Sequence, residues 1–100
     1  METPPTQDQP QVGQITLRYW ASARAIAGVS EETVDVVGPV TLGWLIDGAI
    51  ARREAGNRLA AVLNSCSVLI GDQPVATEDP AAVVVDAGQS VEFLPPFAGG

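Results

Sequence analysis

Thr41-Leu42-Gly43-Trp44-Leu45-Ile46-Asp47-Gly48-Ala49-Ile50-Ala51-Arg52-Arg53-Glu54 is the stretch on which the fold turns, because it is the one long segment with a helical period. Leu42, Leu45, Ile46, Ala49 and Ile50 gather on one side of a helix and form a single apolar stripe. The Thr41 hydroxyl is placed to accept an orphan amide of the first turn, and Gly56 is the expected stop. Gly43 and Gly48 each cost ~1 kcal/mol against alanine in a helix, so this one has to be held by packing on another layer. Trp44 lies about 200° around from Leu42, away from the stripe, where it faces either a partner or a neighbouring loop.

That other layer lies on both sides of the helix. Toward the N-terminus, Gln14-Ile15-Thr16-Leu17-Arg18-Tyr19-Trp20 alternates, with Ile15, Leu17 and Tyr19 on one face and Thr16, Arg18 and Trp20 on the other. An alanine-rich turn over 21–27 ends at Gly28 as its C-cap. A second strand spans 32–37, with Val34 and Val36 inward, and Gly38-Pro39 stops it. Toward the C-terminus come a short helical or irregular piece over 59–63, a strand over 66–70 and a turn at Gly71-Asp72. A very short strand over 73–75, a loop or helical turn over 78–85, the turn 86–89 and a last strand over 90–94 follow. Val91 and Phe93 of that strand are expected to face the helix.

Two strands, a crossover helix and further strands make an α+β chain with one mixed sheet packed on one main helix. The right-handed crossover rule sets the first and last strands side by side and parallel in the middle. This is the β-grasp, or ubiquitin-like, arrangement. The expected organisation is a disordered leader over 1–13, a β-grasp domain over 14–94 and a flexible tail over 95–100.

The inventory of side chains removes several chemistries. One hundred residues bury one modest core, at roughly 60–65% of the unfolded surface, without room for a deep private active site. There is no histidine, so no imidazole base, no histidine metal cluster and no Ser-His-Asp triad. A single cysteine forms neither an intrachain disulfide nor a thiolate zinc site, and suits a reducing compartment. No metal site and no catalysis by the chain alone are expected. A net charge of −7 repels a phosphate backbone, which argues against nucleic acid and favours a partner with a basic face. The first residues show no signal-peptide pattern, and no apolar run reaches the ~18 residues of a membrane span, so the expected location is cytoplasmic.

The chemistry is expected at the other end. Leu94-Pro95-Pro96-Phe97-Ala98-Gly99-Gly100 carries the strand into two prolines and finishes on Gly-Gly. The prolines stiffen the exit and prevent another ladder strand, while glycines without side chains pass a narrow tunnel. Phe93-Leu94-Pro95-Pro96-Phe97-Ala98-Gly99-Gly100 resembles the ending of the small, sulfur-carrier subunits of molybdopterin synthase. Tyr19-Trp20-Ala21-Ser22-Ala23-Arg24-Ala25-Ile26-Ala27-Gly28 is similar to the family's stretch after its first strand, and the likeness covers residues 14–100 in order. The chain departs from the family at Asp86-Ala87-Gly88-Gln89, at Ala25 and at Phe97.

The resemblance implies a mechanism. An activating enzyme spends ATP to adenylate the Gly100 carboxylate, which becomes a thiocarboxylate. The tail then enters the large subunit of a heterotetramer and gives its sulfur to cyclic pyranopterin monophosphate. Gly100 is then the covalent carrier and Gly99 gives clearance. Leu94, Pro95, Pro96, Phe97 and Ala98 act as the docking stem, and no cofactor is held permanently. A carrier for thiamine, cysteine or a secondary metabolite, a ubiquitin-like modifier of lysines and an inert β-grasp module are the alternatives.

Three further features have plainer readings beside functional ones. Cys66 is expected as a buried, inert cysteine in a strand, not a sulfur relay. Arg24 is expected to pair with Glu31 or Glu32. The absence of lysine fits either protection from self-acylation or a genome that favours arginine.

Overall fold

The structure, a computed structural model, describes residues 12–54, 56–75 and 79–96. The chain runs β1 (Val12–Tyr19), α1 (Ala21–Ala27), β2 (Glu31–Val37), β3 (Val40–Thr41), α2 (Leu42–Ala51), α3 (Leu59–Asn64), β4 (Ser67–Ile70), β5 (Gln73–Pro74), a 3-10 turn (Pro80–Ala82), β6 (Val84–Val85) and β7 (Ser90–Leu94). The main sheet has the order β2-β1-β7-β4-β5. Its central pair, β1 and β7, is parallel, with Leu17 opposite Val91 and Tyr19 opposite Phe93. The pairs β1–β2, β4–β7 and β4–β5 are antiparallel. The chain therefore has the β-grasp sheet that its element order predicts.

Alternation supplies the core. Ile15, Leu17 and Tyr19 of β1, Val34 and Val36 of β2, and Val91 and Phe93 of β7 are buried. They meet Leu42, Leu45 and Ala49 of α2, with Ile46 and Ile50 partly buried at the margin, so the stripe and the sheet face close on each other. Thr41 caps α2 as expected, its hydroxyl accepting the Trp44 amide at 3.0 Å. Gly28 ends α1 at φ 85, a left-handed conformation that strains a side chain, and its amide donates to the Arg24 carbonyl at 2.9 Å.

Several boundaries differ from the sequence expectations. The helix α2 stops at Ala51 with Arg52 as its C-cap, not near Gly56. The reason is the Arg53 side chain, whose Nη1 donates to the Ala49 carbonyl at 2.8 Å and so satisfies an end that a glycine cap would otherwise serve. Cys66 falls just before β4, not within it. A second, two-stranded sheet joins Val40 to Val85 and Thr41 to Val84. Nothing in the local pattern announces it, since each half is two residues long.

The strand β1 begins at Val12, inside the stretch read as leader, with Val12 opposite Val37 and Gly13 opposite Val36. The rest of that stretch, 1–11, and residues 97–100 of the tail lie outside the described residues. Gly13 is required here by a neighbour. A Cβ at this position would sit 2.8 Å from the Cβ of Ala87. That contact lies next to the bond from the Gly88 amide to the Gln14 carbonyl, at 2.8 Å. Gly13→Ala is therefore expected to push β1 and the 86–89 turn apart and to lose about 1–2 kcal/mol, a melting temperature lower by roughly 5–15 °C. Adding Ala87→Gly to the same chain should recover most of that loss. A Gly13→Ala chain that melts with the parent would show that the two segments separate freely.

Candidate functional site

The last strand ends in the middle of the sheet, and its end is anchored from both sides. Phe93 is fully buried, opposite Tyr19 on one flank and Val68 on the other. Its ring stacks on that of Tyr19 at 5.7 Å, with 13° between the planes. Its carbonyl accepts the Trp20 amide at 3.2 Å. Leu94 pairs with Ser67 and is half-buried, Pro95 is half-buried, and Pro96 is exposed. The ladder stops at Leu94 because the two prolines that follow bring no N–H. Three of the expected docking residues, Leu94, Pro95 and Pro96, thus share one exit. Phe97, Ala98, Gly99 and Gly100 lie outside the described residues.

Behind the exit stands a polar hub. The Tyr19 hydroxyl donates to Glu32 Oε2 at 2.5 Å, and the same oxygen accepts from Arg53 Nη1 at 2.8 Å and from Arg52 Nη2 at 3.1 Å. The Arg53 guanidinium also lies 5.5 Å from the centre of the Tyr19 ring, and its Nε donates to the Ala27 carbonyl at 3.2 Å. Burial alone would raise the Glu32 pKa, but the hydrogen bonds from Arg53, Arg52 and Tyr19 outweigh it and hold the carboxyl at about 2. Burial, with the Glu32 carboxylate beside it, pushes the Tyr19 phenol well above its ordinary range. Both groups keep one protonation state near neutral pH. They tie β1, β2, α1 and α2 together behind Phe93.

These contacts correct one expectation. Glu32 pairs with Arg52 and Arg53, and Glu31 with Arg18 at 3.4 Å, so Arg24 holds neither. Cys66 is half-buried and its thiol donates to the Val62 carbonyl at 3.3 Å. Burial pushes that thiol up to about 11, so near neutral pH it stays protonated and a poor nucleophile. Among the described residues no group of three acidic, cysteine or histidine side chains is placed to hold a metal. No described helix is long and apolar enough to cross a membrane.

One residue of the site was not singled out in the sequence. Trp20 is 47% exposed, and its indole Nε1 donates to Glu92 Oε1 at 3.0 Å. Val91 and Phe93 point to the helices, so Glu92 and Leu94 point to the opposite face of the sheet, where Trp20 joins them. The signal was present, since alternation along β1 already set Trp20 on the outer face. Trp44 is also exposed, at 51%, in the first turn of α2.

No protein-family model matches the chain. It is 30% identical over 87 residues to the molybdopterin synthase sulfur carrier subunit of Chlamydomonas reinhardtii, an alignment that spans 87% of this chain and 99% of that protein. The chain belongs to the molybdopterin synthase sulfur carrier subunit family. Solved structures agree on the fold. The carrier fold here superposes on SAMP1 from Haloferax volcanii with a TM-score of 0.70 at 23% identity, over 88% of this chain and all of that one. The complex of subunits 1 and 2 of the molybdopterin-converting factor from Helicobacter pylori contains a chain similar at a TM-score of 0.54 and 18% identity, over 87% of this carrier and 99% of that chain. The likeness to these solved structures is one of fold.

Proposed function

We propose that this chain is the sulfur-carrying subunit of a molybdopterin synthase and that the Gly100 carboxylate is the carrying group. The observation that supports this most is the family likeness, which spans nearly the whole relative. The described geometry suits the role. The last strand is fixed by Phe93 and the Glu32 hub, and it releases the chain through Pro95 and Pro96 with no described side chain poised as a catalyst.

In this reading a separate activating enzyme supplies the catalysis. A Gly100 carboxylate oxygen attacks the α-phosphorus of ATP and pyrophosphate leaves, giving an acyl-adenylate. A sulfide-level sulfur donor then adds to the acyl carbon and AMP leaves, so one carboxylate oxygen departs with the AMP and sulfur takes its place. Gly99 gives the clearance for this passage, and Leu94, Pro95, Pro96, Phe97 and Ala98 form the stem that enters the large subunit. There the thiocarboxylate sulfur is transferred to cyclic pyranopterin monophosphate. The carrier itself holds no cofactor, works in the cytoplasm, and with a charge of −7 favours a partner with a basic face.

Intact-mass measurement after incubation with the activating enzyme, ATP and a sulfur donor tests the reading. The expected result is a gain equal to replacing one oxygen by sulfur, absent when Gly100 is deleted. A ladder of conjugates on lysine-bearing proteins would instead mark a modifier. Sulfur loading followed by transfer only to a thiamine or cysteine pathway partner would keep the carrier and replace the acceptor.

A further inference from the structure

Five arginines share twelve acids in this chain, and three of the five are satisfied by glutamates of β2. Arg24 is not one of them. It is exposed in the last turn of α1 and makes no side-chain hydrogen bond or ion pair among the described residues. Yet Glu31 and Glu32 start β2 only a short loop beyond α1. An arginine left without a carboxylate on so acidic a surface has its planar fork of donors open to one brought from outside.

The surroundings make room for such a group. Arg24 lines an open cleft of about 610 Å³ with Ala21, Ala25, Gly28, Val29 and Ser30. Small residues at 21, 25 and 28 leave the space between α1 and the following loop unfilled, and Ser30 adds an exposed hydroxyl. Ala21 holds φ 49, the only left-handed residue other than glycine among those described. A strained alanine persists only where its neighbours fix it, and here they do. Trp20 precedes it, bound by its amide to the Phe93 carbonyl and by its indole to Glu92. The cleft therefore begins one residue after Trp20, which is bonded to the end of β7.

We propose that this cleft receives an acidic side chain of the large subunit, paired with Arg24, and that the pair orients the carrier while the tail enters. The inference rests on the proposed function for the identity of the partner. The acidic remainder of the surface speeds encounter with a basic face, which sets no register by itself. A single cation beside the root adds register, because any docking that meets Arg24 with a cation is disfavoured by like charge.

The test uses the full chain and the purified large subunit encoded in the same genome, with affinity measured by calorimetry at two salt concentrations. Arg24→Gln is expected to weaken binding roughly 5–20-fold and Arg24→Glu further, with unchanged melting temperature and unchanged sulfur loading by intact mass. Arg58→Gln is the control, because Arg58 is exposed and likewise without an ion pair among the described residues. It should stay within twofold of the parent. An Arg24→Gln chain that binds as the parent does would overturn the proposal, as would an equal loss in Arg58→Gln. A parent chain that loads sulfur but does not bind the large subunit also overturns it and leaves the carrier chemistry standing. A parent chain that binds the large subunit with the expected Arg24 dependence but takes no sulfur supports the cleft and removes the thiocarboxylate.

Discussion

A Phe93→Ala chain is expected to lose about 3–5 kcal/mol, a large share of the roughly 5–15 kcal/mol that holds a domain of this size. Phe93 is 0% exposed and stands on the central strand, so the cavity opens where β1, β4 and β7 all contribute and no single element can collapse into it. The stacked partner, Tyr19, then loses one face of its ring while its hydroxyl remains bound to Glu32. That hydroxyl prevents the ring from swinging inward to fill the space. Thermal melting should show a transition lower by roughly 15 °C or more, or no cooperative transition at all. Phe93→Leu retains most of the volume and should cost less than half as much. If Phe93→Ala melts within a few degrees of the parent, the root of the tail is not built on this residue.

Glu32→Gln is expected to cost about 2 kcal/mol at neutral pH, and its effect should fade in acid. The residue keeps its volume and one acceptor, but Arg52 and Arg53 lose the charge that faces them at 3.1 and 2.8 Å. A fully buried pair broken in this way costs about 3–5 kcal/mol, and partial solvent access reduces it here. The sign with pH follows from the lowered value. Glu32 has a folded pKa of about 2 against an ordinary 4.5, so its contribution is complete above about 4.5 and is lost as the pH falls through about 2. The parent and Glu32→Gln stability curves should therefore converge between these limits in denaturant titrations. Glu31→Gln is the comparison. Its pair with Arg18 is exposed and 3.4 Å long, so its removal should cost under about 0.5 kcal/mol. Curves that stay parallel down to pH 2 would show that Glu32 stabilises by packing and not by charge.

The two variants separate what is local in this chain from what is not. Phe93 was identified correctly from alternation alone, because a half-buried strand repeats every second residue whatever lies above it. The same logic recovered Ile15, Leu17, Val34 and Val36, and the helical period recovered Leu42, Leu45 and Ala49. Arg24, at a helix end, is expected to pair with Glu31 or Glu32, and it pairs with neither. Glu32 meets Arg52 and Arg53 instead, because α2 crosses the sheet and sets its last turn over the start of β2. Of the candidate site, Leu94, Pro95 and Pro96 were legible as a strand meeting two residues without an N–H. Trp20 was legible only as an outer-facing residue; its bond to Glu92 depends on the register in which β1 and β7 pair, with Arg18 opposite Glu92.

Legible in the sequence were the order of the main-sheet strands and of α2, the faces they bury, the caps at Thr41 and Gly28 and the family resemblance of the Pro-Pro and Gly-Gly ending. Each of these is written within a few residues, in a period, a hydroxyl at a helix start, a glycine at a positive φ or a motif. Where α2 stops, how Gly13 and Ala87 constrain each other, that β3 finds β6, and that Arg24 and Arg58 have no carboxylate partner among the described residues were settled by tertiary packing. Those outcomes depend on contacts between segments far apart in the chain, and such contacts exist only after the helix has packed across the sheet.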